Sequence, residues 1–319
     1  MIILGVETSC DETAVSIVRN GKEVFSNIVF SQIDIHKYNG GVIPEIASRN
    51  HVEKILYVFQ DAIIKSSIKI KDIDYVAVTK TPGLIGSLIV GIVAAHTFAY
   101  VNDIKIIDID HIDGHIYANY IEHELKYPLL ALVVSGGHTE LRITYDGYEF
   151  VKLGETLDDA VGECYDKVGR VLGLPYPGGI YVDKIAIKGN INRYKLPLVY
   201  LEKDSFNFSF SGLKSAVINL INKTKQNNEE VVVEDLAASF QYSAISVLTT
   251  KTIECAKKYK VKQIVLAGGV AANSELRKQI VEKGSKLEDC EIIYPSMKYC
   301  TDNAAMIAVA AFFKLKQIK

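Results

Sequence analysis

The chain opens on short apolar runs separated by polar turns, and its periodicity then shifts from that of strands to that of helices. Ile2 to Val6, Ala14 to Val18 and Glu23 to Phe30 predict three consecutive strands, with turn signals at Thr8-Ser9-Cys10-Asp11 and Asn20-Gly21. Pro44 and Glu45 then start a helix in which Val52, Ile55, Leu56, Phe59, Ala62 and Ile63 recur on one face. A buried strand (Tyr75 to Thr79), an apolar helix (Leu84 to Val101) and a further strand (Ile104 to Ile109) follow. The same order then returns. Leu129 to Ser135 and Thr139 to Tyr145 flank Gly136-Gly137, and Tyr148 to Leu153 supplies a third strand. A long helix-rich insertion follows. After it come a helical stretch from Glu234 to Tyr259, a strand from Gln263 to Ala267 and a helix from Asn273. A strand near Glu291 to Tyr294 and a last helix opening at Asp302 close the chain. Two copies of a meander followed by alternating helix and strand predict a duplicated α/β fold with a cleft between the copies. The closing helix is expected to pack back onto the first copy and carry Asp302 to His111.

Composition narrows the class. At 319 residues, with 49% hydrophobic and 23% charged positions, the chain fits a soluble globular protein of two domains. The N-terminus lacks a basic n-region and meets Glu7 at once, which excludes a signal peptide. The most apolar stretch contains Gly86, Ser87, Gly91, His96 and Thr97, so it reads as a buried helix and no membrane span is expected. Cys10, Cys164, Cys255, Cys290 and Cys300 are odd in number and widely spaced, which points to a reducing cytoplasm and mostly buried thiols. A net charge of −2 says nothing for or against nucleic acid and leaves a local basic patch open.

The sharpest chemical signal is His111-Ile-Asp-Gly-His115. If His111 to Leu125 is helical, the i, i+4 spacing puts both imidazoles on one face, able to hold one metal ion. Asp302 is the expected third ligand, because two histidines and one carboxylate bind a catalytic iron or zinc with positions left open. The motif is not His-Glu-x-x-His, so the base of a zincin protease is missing. The plain alternative is a polar helix start.

Three glycine turns suit a nucleotide. Val134-Ser135-Gly136-Gly137-His138-Thr139 joins two strands, and its glycines would permit positive φ and close approach of backbone N–H groups to a phosphate. Leu266-Ala267-Gly268-Gly269-Val270-Ala271-Ala272-Asn273 follows a strand and opens a helix, with Asn273 equally readable as an N-cap. Pro175-Tyr176-Pro177-Gly178-Gly179 is the third, with Asp166 and Asp183 as candidate acceptors for sugar hydroxyls. Lys251, Lys257, Lys258, Lys260 and Lys262 read as a solvated helix end, and the aromatics from Phe206 to Phe210 as packing beneath the insertion.

Several of these segments together resemble one family. Glu7-Thr-Ser-Cys-Asp-Glu-Thr13, Pro82-Gly-Leu-Ile-Gly-Ser-Leu-Ile-Val-Gly91, His111-Ile-Asp-Gly-His115 and Val134-Ser-Gly-Gly-His138 are similar to motifs of the tRNA threonylcarbamoyladenosine transferases, the TsaD family. Phe208-Ser-Phe-Ser-Gly-Leu-Lys214, Ala267-Gly-Gly-Val-Ala-Ala-Asn273 and Thr301-Asp-Asn-Ala-Ala-Met306 match in the same order, so the resemblance spans nearly the whole chain. His138 resembles the bacterial branch, where the archaeal branch carries Asn.

The resemblance implies duplicated RNase H-like domains of the actin and sugar-kinase superfamily. Residues 1–126 plus 298–319 would form a subdomain holding the metal ligands, and 127–297 one carrying the nucleotide turns and a helical insertion. It implies transfer of threonylcarbamoyl from threonylcarbamoyl-AMP to the exocyclic amine of the adenosine beside the anticodon, in tRNAs reading codons that begin with A. His111, His115 and Asp302 would hold one divalent ion, iron(II) in preference to zinc. Val134, Ser135, Gly136, Gly137, His138, Asp166, Gly179, Asp183 and Asn273 would line the adenylate pocket, and Asp11 or Glu12 would take the amine's proton. A catalytically inactive paralogue and a small ATPase are the implied partners. Two features depart from the pattern: the chain stops at Lys319 where many bacterial members continue, and Ile180 follows Gly179 where proline is frequent. A metal-dependent endopeptidase, a label once attached to the family, and a nucleotide-regulated kinase-like module are the alternatives.

Overall fold

The computed structural model describes residues 1–147, 149–201 and 205–317. The chain divides into two compact units, residues 1–125 with 295–319, and residues 126–294.

The first unit begins with the strands β1 (Ile2–Glu7), β2 (Glu12–Arg19) and β3 (Glu23–Ser31) and the short helix α1 (Ile33–His36). It continues through α2 (Pro44–Ser66), β4 (Tyr75–Thr81), α3 (Ile85–Val101), β5 (Lys105–Asp110) and α4 (His111–Tyr117). The second contains β6 (Leu129–Val134), β7 (Thr139–Thr144), β8 (Val151–Glu155), α5 (Val161–Val171), α6 (Gly178–Ala186), α7 (Ser211–Gln226) and α8 (Val233–Tyr259). It ends with β9 (Gln263–Ala267), α9 (Ser274–Gly284) and β10 (Glu291–Ile293). The chain then returns to the first unit as α10 (Met297–Cys300) and α11 (Ala304–Gln317).

Each unit holds one five-stranded sheet, and the two orders, β3-β2-β1-β4-β5 and β8-β7-β6-β9-β10, are the same. In both, three antiparallel meander strands precede two parallel ones. Both meanders also carry a register shift between their outer two strands, at Ile17/Val18 and at Leu141/Arg142. The duplication expected from the pattern is therefore present at the level of strand order, direction and irregularity.

One face of the first sheet packs Leu4, Val6, Val15, Ile17 and Val76 against Ile55, Phe59 and Ala62 of α2 and Ala95 and Ala99 of α3. On α2, Val52 and Leu56 stay exposed while Val58 and His51 are buried. The buried stripe keeps Ile55, Phe59 and Ala62 but is rotated about 60° toward His51 and Val58, and an apolar flank is left uncovered. The other face takes α11, whose alanines let it lie directly on β1. A Cβ at Gly5 would sit 2.2 Å from the Ala304 carbonyl and 3.0 Å from the Ala308 amide. Both obstacles are backbone, so neither can rotate away. Gly5→Ala is expected to destabilise the chain by about 2–3 kcal/mol, read as a lower urea midpoint at unchanged slope. An unchanged midpoint would show that α11 is not seated on β1.

Four expectations need correcting. The helix at His111 ends at Tyr117 and continues only as a 3-10 turn to Ile121, not as a helix to Leu125. The third strand of the second meander starts at Val151; Tyr148 lies outside the described residues, as do 202–204 and the terminal Lys319. Asp302 does not open the last helix. Asn303 supplies the capping oxygen, accepting from Met306 N at 3.1 Å, and α11 starts at Ala304. Lys251 is buried, donating at 2.6 Å to the carbonyls of Ser205 and Asn207, whereas Lys257, Lys258, Lys260 and Lys262 are exposed. Phe208 and Phe210 are buried and stacked, as expected of packing residues.

Candidate metal centre and adenylate cradle

In the first unit the chemistry gathers where the parallel strands end, the usual place for sites in such sheets. β5 finishes at Asp110, whose Oδ1 accepts from the amides of Ile112 (2.8 Å) and Asp113 (3.2 Å). That cap starts α4 at once and presents His111 and His115 on one side of a two-turn helix. Their rings meet edge to face with centroids 4.6 Å apart. Asp302 Oδ1 lies 3.6 Å from His111 Nε2 and 3.1 Å from His115 Nε2. Ligands about 2.0–2.1 Å from a shared ion are separated by roughly 3–3.5 Å, so Asp302 lies close to ligand spacing from both imidazoles. One candidate atom from each residue lies within 4.8 Å of the others.

The donor set passes a direct test of fit. His115 is buried, yet neither ring nitrogen has a hydrogen-bond partner. Asp302 Oδ1 is near His115 Nε2 but off the N–H direction, so proximity does not become a hydrogen bond. An unsatisfied buried imidazole is costly, and an ion between the two groups would satisfy its Nε2. His111 is already oriented for the same task. Its Nδ1 faces Glu7 Oε2 at 3.1 Å and Ser9 Oγ at 3.1 Å, leaving Nε2 turned to Asp302. A carboxylate behind a metal-binding imidazole is the usual outer partner.

Glu7 is the residue the sequence reading passed over. It sits at the end of β1, wholly buried, and accepts from Ser9 N and Thr79 Oγ1 as well as His111. Burial pushes its carboxyl up, but the charge and hydrogen bond of His111 outweigh burial and hold it below the ordinary value. Burial pulls His111 down, while Glu7 and Asp302 together raise it to about 9. The available signal was an acidic residue closing an otherwise apolar strand.

Asp11 and Glu12 follow the Ser9-Cys10 turn, both largely buried. Burial first, then the charges of Asp11 and Asp302, lift Glu12 well above the usual carboxylate range, and Ser31 Oγ donates to its Oε1 at 3.0 Å. Burial likewise pushes the Cys10 thiol up, so it is no nucleophile. Glu7, Asp11, Glu12 and Asp302 thus form a concentrated acidic group of the kind a divalent cation balances.

The second unit repeats the geometry with different residues. Its first hairpin turn, Ser135 to His138, occupies the position that Thr8 to Asp11 holds in the first sheet. Ser135 N donates to the His138 carbonyl at 2.8 Å, and His138 N donates to Ser135 Oγ at 3.0 Å. α5 begins against this turn, with Gly162 N donating to the Ser135 carbonyl at 3.2 Å. Gly136 and Gly137 do not adopt positive φ, contrary to expectation, and a Cβ at either would meet nothing within 4 Å. Their small size leaves open space above the turn and relieves no backbone strain. Gly268 does need to be glycine: its φ is +88°, and a Cβ would lie 2.4 Å from the Val134 carbonyl.

Val134 itself is buried and offers only its backbone. Asp166 accepts from Gly179 N at 3.3 Å, fixing the start of α6. Asp183 accepts from Ser274 N (3.1 Å), Ser274 Oγ (2.7 Å) and Gln241 Nε2 (3.0 Å). Asn273 caps α9 through Leu276 N at 2.9 Å and donates to Gln241 Oε1 at 2.9 Å, so the N-cap reading of it holds. Gln241 and Ser274 thus join Asp183 and Asn273 into one seam, and neither was expected. Gln241 lies inside a 27-residue helix, where nothing local distinguishes it from packing.

The model of the TsaD family, tRNA N6-adenosine threonylcarbamoyltransferase, matches residues 23–309. The chain belongs to the TsaD family. A Bacillus subtilis member named tRNA N6-adenosine threonylcarbamoyltransferase is 54% identical over 310 residues, covering 97% of this chain and 89% of that one. A Geobacillus kaustophilus member of the same name is 52% identical over 317 residues, covering 99% and 92%. Among solved structures, HypF from T. kodakarensis superimposes with a TM-score of 0.65 at 13% identity, covering 99% of this chain and 48% of its own. The Acidaminococcus fermentans (R)-2-hydroxyglutaryl-CoA dehydratase component A gives 0.56 at 14%, and the ROK hexokinase of Thermus thermophilus 0.52 at 13%, each covering 100% of both chains. At such low identity these three show the fold alone, the duplicated α/β arrangement.

Proposed function

We propose that this TsaD member transfers the threonylcarbamoyl group of threonylcarbamoyl-AMP to the exocyclic amine of the adenosine beside the anticodon, in tRNAs reading codons that begin with A. The observation that carries the reading is the convergence of His111, His115 and Asp302 around an unsatisfied buried imidazole, in a chain matching the family over residues 23–309.

Two imidazoles and a carboxylate favour iron(II) over zinc, with open positions for substrate. When bound, the ion supplies Lewis-acid polarisation of a substrate oxygen. The protein's own residues do the rest. In the second unit, the backbone amides of Gly136 and Gly137 bind the phosphate in the space that these two residues leave. Asp166, Gly179, Asp183 and Asn273 take the ribose and base side. In the transfer, the adenosine amine forms a C–N bond to the carbamoyl carbon, the C–O bond to phosphate breaks, and AMP leaves. The amine's proton goes to Asp11 or Glu12. Burial, with the neighbouring charges of Asp11 and Asp302, raises the Glu12 carboxyl, the direction that suits a group taking up a proton.

Dependence on a catalytically inactive paralogue and a small ATPase belongs to the same proposal. Support for a protein partner comes from an apolar flank on which Leu56, Ile64, Ile85, Ile89 and Val93 of α2 and α3 are each more than half exposed. A cytoplasmic location fits the free cysteines and a tRNA substrate. Among the described residues, no helix is long and apolar enough to cross a membrane.

A single assay separates the readings. Purified protein with threonylcarbamoyl-AMP, the family partners and a tRNA reading an A-initial codon should modify the adenosine beside the anticodon, detected by nucleoside mass spectrometry. A chelator should stop it, and a tRNA carrying another base there should stay unmodified. Glycoprotein cleavage by the metal-loaded protein alone, without tRNA modification, would establish the endopeptidase alternative instead. The missing glutamate of His-Glu-x-x-His disfavours that alternative. The histidine pair disfavours a kinase, which holds its metal through phosphates and carboxylates.

A further inference from the structure

α2 carries a buried histidine that the proposed reaction does not use. His51 is fully buried, and its two ring nitrogens grip opposite ends of one short turn. Nε2 is 2.9 Å from the Cys10 carbonyl, and Nδ1 is 2.7 Å from Thr13 Oγ1. A carbonyl only accepts, so Nε2 carries the proton, Nδ1 accepts, and the Thr13 hydroxyl donates. Burial keeps the imidazole below its ordinary value, in agreement with this neutral tautomer.

The residues enclosed between those two contacts are Asp11 and Glu12. α2 holds the same turn at a third point through Gln32, whose amide donates to the Asp11 carbonyl at 3.0 Å and whose Nε2 donates to the Ala47 carbonyl at 3.2 Å. β3 holds Glu12 from the other side through Ser31. An ordinary satisfied core histidine would bond anywhere nearby; this one brackets the two candidate proton acceptors.

We propose that His51 is a positioning residue for the transfer reaction, fixing the Cys10–Thr13 turn so that the Asp11 and Glu12 carboxyls are held where the incoming amine releases its proton. The inference rests on the reading of Asp11 or Glu12 as that acceptor. His51 touches neither substrate nor ion; it acts through the turn. A shift of about 1 Å in a reacting group costs on the order of 100-fold in rate, so a loosened turn lowers kcat without weakening substrate binding.

The test compares steady-state tRNA modification by the full chain, with its partners and metal, across four variants. His51→Leu should lower kcat about 10- to 100-fold with KM for threonylcarbamoyl-AMP within about twofold and metal content unchanged. His51→Gln should recover most of the loss, because its amide N–H can reach the Cys10 carbonyl. Asp11→Asn/Glu12→Gln should be slow, and adding His51→Leu to it should cost nothing more, since residues acting as one unit are not additive. Full additivity in that triple variant, an unchanged kcat in His51→Leu, or a loss explained by metal content would overturn the proposal. If Asp11→Asn/Glu12→Gln turns over at the full rate, the acceptor reading fails first and takes this inference with it. Should His51→Leu fail to fold by circular dichroism, the near-isosteric Thr13→Val removes one end of the clamp and carries the same comparison.

Discussion

Replacing His115 with alanine is expected to strip the ion from a chain that remains folded, and to stop tRNA modification. The fold should survive because His115 makes no hydrogen bond whose loss would be felt. Its neighbour Ile116 and the contact of Gly114 with Met306 and Ile307 keep α4 against α11. Binding should not survive, because removing one of the three proposed ligands leaves His111 and Asp302 to hold the ion alone. The loss should exceed the roughly 10- to 100-fold that removal of an outer partner costs. Glu7→Gln provides that milder comparison: it keeps the shape behind His111 Nδ1 but removes the charge, so affinity falls without vanishing. Elemental analysis and circular dichroism on the same samples decide the matter. Full occupancy in folded His115→Ala would remove His115 from the ligand set, and equal losses in His115→Ala and Glu7→Gln would mean the carboxylate behind His111 matters as much as a ligand.

The second large effect is expected at the glycine turn. Gly137→Val should abolish binding of adenylate or ATP, seen by calorimetry, while thermal stability and metal content stay as they were. The structure makes this experiment cleaner than the sequence suggested. Gly137 is outside the positive-φ region, and a Cβ there meets no protein atom, so a side chain strains nothing in the unliganded chain. Its branches would occupy the space above the Ser135–His138 turn, where the proposal puts the phosphate. Lost affinity then reports a clash with ligand. Gly268→Ala is the informative contrast, since φ +88° and the Val134 carbonyl at 2.4 Å predict lost stability there. Unchanged nucleotide affinity in Gly137→Val would put the phosphate elsewhere.

The difference between those two glycines shows where legibility ended. Glycine pairs after Val134 and after Ala267 look alike in sequence, yet one leaves space and the other relieves a strained backbone. Which it is depends on what strand lies alongside, and β9 runs parallel to β6 only in the assembled sheet. The seam of Gln241, Asp183, Asn273 and Ser274 was illegible for the same reason, being drawn from three helices far apart in the chain.

What the sequence determined by itself was whatever repeats over short range. The i, i+4 pair His111 and His115 shares a helix face because 3.6 residues make a turn, and this holds even though the helix is only two turns long. The doubled meander was visible because strand and helix periods are local properties, and a second copy of their order is visible without any contact being known. The tertiary structure decided which apolar residues of α2 are buried, leaving Val52 and Leu56 outside, because a helix shows its apolar width in sequence but not its rotation against a sheet. It turned Lys251 from a surface charge into a buried donor to two carbonyls. It also put Glu7 behind His111 and His51 around Asp11 and Glu12. Those contacts span 104 and 41 residues of sequence, and only the packing of β1 against β4, and of α2 over the sheet, closes such distances.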